Sequence, residues 1–134
     1  MTALLVDTNS YTALQKGNAE IERLFSSAEK LYFPFIVVGE LLAGFRLGSR
    51  EAVNREKLFA LLDTPDVEIL YPDLETMEDY ASIFTALRKK GKPVPTNDIW
   101  IAACGSRHGL PICTFDKHFR EIEGINIIVP EASA

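Results

Sequence analysis

Cysteine and histidine are scarce, with two of each in 134 residues. Cys104 and Cys113 are too few for a disulfide framework or a thiolate zinc cluster. They read as two small core hydrophobes. His108 and His118 fall at a helix end and in a loop, which excludes a zinc centre built of imidazoles. Long apolar runs are missing, and none approaches the length that spans a bilayer. The segment before Asp7 has neither a basic region nor a long apolar stretch, so no signal peptide is expected and the cytoplasm is the default location. Repeats, low-complexity tracts and linkers are absent too, so residues 1–134 read as one domain. Positive charge is in deficit. A net charge of −5 argues against strong non-specific attraction to nucleic acid, without excluding an enzyme that acts on it.

What is present is an apolar framework: 47% of residues are hydrophobic and 25% are charged, enough for a soluble domain with a real core. Short apolar strands are expected at 4–6, 31–33, 67–70, 111–115 and 125–129. Helices are expected at 10–16, stopped by Gly17; at 19–28, capped by Asn18; and at 35–46 after Pro34. Further helices are expected at 50–62, capped by Ser49, with Leu58, Leu61 and Leu62 inward, and at 74–90, capped by Asp73. In the latter, Leu74, Met77, Ala81, Phe84 and Leu87 keep helical spacing. A last long helix is capped by Thr96, runs to His108 and ends at Gly109, and a short helical turn should separate the last two strands. Alternating strands and helices imply a three-layer α/β/α fold with a five-stranded parallel sheet. Right-handed crossovers put all strand C-termini on one edge, where open sheets bind ligands.

Four acids fall at or near that edge. Asp7 ends the first strand, Asp116 follows the fourth, and Asp98 lies in the first turn of the helix that begins at 96. Glu40 interrupts an apolar helix, with Ile36, Val37, Ala43 and Gly44 at helical spacing around it, so its face reads as inward. Gly39 and Gly44 would let that helix approach another closely. Singly, Asp7 and Asp116 also fit turn or cap roles, and Asp98 fits the helix dipole. Together, four converging carboxylates repel unless some bind protons or a cation. Hard oxygen donors of this kind suit Mg²⁺ or Mn²⁺. Thr8, Asn9, Asn97 and Thr114 stand beside the acids and could orient them, although capping and turn roles fit them as well. Basic residues flank three of the acids: Arg46, Arg50 and Arg55; the run Arg88 to Lys92; and Lys117, His118 and Arg120. Lys117, Arg120 and Lys92 are candidate contacts to phosphate. Trp100 and Phe119 could stack bases, but packing or a dimer contact is the stronger expectation for Trp100, which sits in an apolar helix.

Four fragments in this order resemble the PIN domain and, within it, the VapC-type toxins of toxin–antitoxin pairs. They are Asp7-Thr8-Asn9, Val38-Gly39-Glu40-Leu41, Asn97-Asp98-Ile99-Trp100-Ile101-Ala102-Ala103 and Thr114-Phe115-Asp116-Lys117-His118-Phe119. The resemblance implies a Mg²⁺- or Mn²⁺-dependent endoribonuclease that cuts cellular RNA, often transfer RNA. It implies that Asp7, Glu40 and Asp98 ligate metal and that Asp116 completes the cluster. It also implies a homodimer held inactive by a cognate VapB-type antitoxin.

Two other readings compete. A phospho-signalling receiver has similar layering but wants paired acids after the first strand and a phosphoacceptor after the third, where Asp73 looks like a helix cap. A catalytically inactive RNA-binding relative would have no need of four intact acids.

Overall fold

The computed structural model describes residues 2–130. The elements follow in the order β1 (Ala3–Val6), α1 (Thr8–Gln15), α2 (Ala19–Ser27), β2 (Lys30–Pro34), α3 (Phe35–Leu47), α4 (Glu51–Leu62), β3 (Val67–Leu70), α5 (Leu74–Lys90), α6 (Thr96–His108), β4 (Ile112–Cys113), a 3-10 turn (Lys117–Glu121) and β5 (Ile127–Ile128). The five strands form one sheet in the order β3-β2-β1-β4-β5. Every neighbouring pair is parallel. The expected α/β fold with a five-stranded parallel sheet is therefore present.

The strands are short because apolar burial, not ladder length, holds the sheet. Leu5, Val6, Phe33, Ile112 and Cys113 are fully shielded from solvent, as strands covered on both faces must be. Both cysteines are free and buried, and burial pushes the Cys104 thiol up to about 12 and that of Cys113 upward as well. Neither is a ready nucleophile.

Several sequence expectations need correction. Asn18 and Asp73 cap as expected, Asp73 in a reciprocal box with Thr76. Ser49 and Thr96 do not cap: Arg50 and Pro95 occupy those positions, without a side-chain hydrogen bond. A proline there fixes an extended backbone that enters the helix directly, so no side-chain cap is required to set the entry angle. The α5 stripe holds only in part. Phe84 and Leu87 face the core as expected, whereas Leu74, Met77 and Ala81 are exposed, and Thr76, Tyr80 and Ile83 take the inward positions in the first half of the helix. Both sets have helical spacing there; the inward one carries Tyr80, whose ring stacks on Trp100 at 4.1 Å. Gly39 and Gly44 face open space rather than a neighbouring helix. The close approach is at Gly105 in α6, where a Cβ would lie 3.1 Å from the Ile112 side chain and 3.2 Å from the Leu110 carbonyl. In α4 only Leu58 is fully buried, while Leu61 and Leu62 are half-buried against the core.

Candidate active site

Strand β1 delivers Asp7 to the sheet edge, where it serves as the N-cap of α1. Its Oδ1 accepts from the Thr8 N–H at 2.7 Å and its Oδ2 from the Thr114 hydroxyl at 2.6 Å. Asp7 is 4% exposed, and desolvation is the main reason its carboxyl is held above the usual range; Glu40 and Asp116 push in the same direction, while the two hydrogen bonds pull against them. The neighbouring strand contributes Thr114, which is fully buried. Its oxygen receives the Asp116 N–H at 2.9 Å and the Asn9 side-chain amide at 3.5 Å, so its single proton is directed at Asp7. Asn9 closes the arrangement by accepting the Phe115 N–H at 3.1 Å.

Helix α3 presents Glu40 to the same place. The Thr8 hydroxyl donates to Oε1 at 2.8 Å and the Asn97 amide donates to Oε2 at 3.3 Å. Glu40 is half-buried at the boundary of its face: Val37 and Ile36 on the turn before it pack in the core, while Ala43 and Gly44 beyond it are exposed. Asp98 enters from the first turn of α6 and Asp116 from the cap of the 3-10 turn. The Asp98 carboxyl is raised to about 7, first by desolvation, then by Asp7, Asp116 and Glu40, with a side-chain hydrogen bond to Asp116 adding to the effect. Burial and neighbouring negative charge both favour the neutral form of a carboxyl, which is the physical cause of the shift.

All four acids line one open cleft of about 610 Å³, with Thr8, Asn9, Thr12, Ala13, Lys16 and Phe115. Asp98, Asp116 and His118 each offer a ligand atom, and these lie within 4.8 Å of one another. Oxygen donors grouped around an unbalanced negative field fit a divalent ion.

A PIN domain family model matches residues 4–125. The chain belongs to the PIN domain family.

Relatives of this PIN chain include Ribonuclease VapC1 of Haemophilus influenzae (strain R2866), 32% identical over 73% of this chain and 75% of the relative. Plasmid stability protein StbB of Pseudomonas syringae pv. tomato is 32% identical, with 95% of this chain and 97% of that protein covered. A solved structure of VapBC-1 from nontypeable Haemophilus influenzae superposes with a TM-score of 0.85 at 24% identity, covering 95% of this chain and 97% of that one. That likeness carries the fold.

The receiver reading does not survive. Asp73 caps α5 and is gripped by Arg107, whose guanidinium holds its carboxyl well below the usual range. It takes no part in the PIN cleft. The basic candidates fare less well than the acids. Lys117, Arg120 and Lys92 are exposed and none lines the cleft; Lys92 borders a separate hollow with Phe84, Arg88 and Ile99. Adjacency along the chain to Asp116 or Asp98 is not adjacency in space, and it does not carry these ammonium and guanidinium groups into the lining of the cleft. Phe119 is fully buried and Trp100 is packed between Tyr80 and Phe35, so neither offers a free ring to a base. Lys16, at the end of α1, is the cation that borders the cleft. The signal for it is in the sequence: Asp7 caps α1, and positions 8, 12 and 16 recur at four-residue spacing along one side of it.

Among the described residues no helix is long and apolar enough to cross a membrane.

Proposed function

We propose that this chain is a VapC-type endoribonuclease toxin, one nuclease domain over residues 1–134, dependent on Mg²⁺ or Mn²⁺ and acting in the cytoplasm on cellular RNA. Convergence of four carboxylates on one cleft in a PIN fold is the observation that carries it. Relatives named as VapC ribonucleases support the substrate class. Asp7, Glu40 and Asp98 would hold the ion, and Asp116 would complete the cluster. When bound, a divalent ion acidifies the attacking water and offsets charge on the phosphate oxygens. The rest falls to the chain. Thr114 and the Thr8 N–H aim the Asp7 oxygens. Thr8 and Asn97 hold Glu40 apart from its anionic neighbours, and Asn9 ties the β4 end to α1. Lys16 stands at the rim, where a phosphate of a bound strand would pass. The partners are a second copy of the chain and a VapB-type antitoxin.

The test is RNA incubated with purified protein, with and without Mg²⁺ or Mn²⁺, beside Asp7→Asn and Asp98→Asn. Cleavage should require the ion and fall at least about 100-fold in each variant, the scale of a lost transition-state contact. Cleavage that persists in chelator, or in both variants, contradicts the reading. Expression without an antitoxin should slow growth, and Glu40→Gln should relieve it; equal toxicity of the two would count against the role given to Glu40.

A further inference from the structure

We propose that His118 is a ligand of the ion held in the acidic cleft. It adds one imidazole nitrogen to a donor set that is otherwise all oxygen. The inference rests on the reading of the cleft as a metal site and concerns which of the chain's own atoms complete it. The backbone places the ring. Asp116 caps the 3-10 turn and accepts the His118 N–H at 2.9 Å, which brings residue 118 back over the carboxylate two positions earlier. Imidazole Nδ1 then lies 3.1 Å from Asp116 Oδ1. Neighbouring ligand atoms on an octahedral ion with bonds of about 2.1 Å are separated by about 3 Å. Asp98 supplies the third atom, with all three within 4.8 Å of one another. The ring is 61% exposed, so burial does not force this arrangement, and an exposed polar contact of this kind contributes little by itself.

The consequence is selectivity. Carboxylates alone favour Mg²⁺ and Mn²⁺, whereas an imidazole raises affinity along the first transition row towards Co²⁺ and Ni²⁺. The site should therefore discriminate against Mg²⁺ more strongly than one made only of acids.

Mn²⁺ alone, added to the full chain without RNA, is the probe. Pulsed electron paramagnetic resonance should show nitrogen coupling to bound Mn²⁺ in the wild type. The coupling should vanish in His118→Ala and persist in His108→Ala, which removes the second of the two histidines. Direct titration should show Ni²⁺ binding weakened about tenfold in His118→Ala, with Mg²⁺ binding changed less than about twofold. Bound Mn²⁺ without nitrogen coupling, or equal weakening of Mg²⁺ and Ni²⁺, overturns the assignment of His118 and leaves the metal reading of the cleft standing. No uptake of Mn²⁺ by the wild type overturns both.

Discussion

Replacing Thr114 with valine removes one hydroxyl from a fully buried position and leaves the shape nearly unchanged. Two bonds are lost. The 2.6 Å bond to Asp7 Oδ2 is charge-assisted when Asp7 is ionised, and such bonds contribute about 1.5–3 kcal/mol. The Asp116 N–H loses its acceptor, and water can partly replace it at that half-buried site, so about 1 kcal/mol is a fair charge. The sum is about 3 kcal/mol, which for a chain of this length lowers Tm by roughly 10 °C. The Thr114 bond also pulls the Asp7 carboxyl down against desolvation, so its loss raises that carboxyl further. The deficit should therefore grow as pH rises, because the ionised carboxylate loses more with this bond than the protonated one does. Thermal unfolding followed by circular dichroism, without divalent ions, gives the number. Thr114→Ser keeps the hydroxyl and should stay within about 1 kcal/mol of wild type. A Thr114→Val protein within about 0.5 kcal/mol of wild type at pH 8, or a serine variant as damaged as the valine one, would refute this account of how Asp7 is held.

Other outcomes follow from the same geometry. The Asp98 carboxyl is raised from 3.8 to about 7, so the stability it lends is full below about pH 4 and is lost as pH climbs through about 7. The metal-free protein should lose Tm between pH 5 and pH 8, and Mg²⁺ should restore more of it at pH 8 than at pH 5; a Tm that is flat or rises over that window contradicts the charge conflict. Asp98→Asn should raise the metal-free Tm at pH 8 while abolishing both RNA cleavage and the Mg²⁺ response of Tm. A variant less stable than wild type at pH 8 would show that Asp98 is not strained by its neighbours. Gly44→Ala, with open space around the new methyl, should add about 0.5–1 kcal/mol by helix propensity, whereas Gly105→Val should cost about 2–3 kcal/mol against Ile112 and the Leu110 carbonyl. Chemical denaturation reads both signs.

The acids were legible because three of them end or interrupt apolar runs and the fourth opens an apolar helix. Asp7 at the end of Leu4-Leu5-Val6 and Asp116 after Ile112-Cys113-Thr114-Phe115 are placed on one edge by the topology of a parallel sheet, whatever the side-chain detail. Glu40 was found by a partly mistaken route. Its helical neighbours Ala43 and Gly44 face solvent, and what holds it is donation from Thr8 and Asn97, residues that are remote in sequence. The buried side of α5 was legible at Phe84 and Leu87 but not nearer its start, where Leu74-Met77-Ala81 and Thr76-Tyr80-Ile83 both keep helical spacing and the set that includes Tyr80, stacked on Trp100, is the inward one. Among the basic residues, adjacency along the chain to Asp116 does not bring Lys117 into the lining of the cleft, whereas Lys16 reaches it by helix periodicity from Thr8 and Thr12.

Calorimetric titration of the wild-type protein with Mn²⁺, repeated in two buffers of different ionisation enthalpy and at several pH values, addresses the acidic cluster itself. Uptake of the ion should release protons below about pH 7, because Asp98 must surrender the proton that relieves its neighbours, and the release should fade as pH rises above that value. A titration that detects no ion uptake, or uptake with no pH-dependent proton release, would contradict the claim that these four carboxylates are reconciled by a divalent cation.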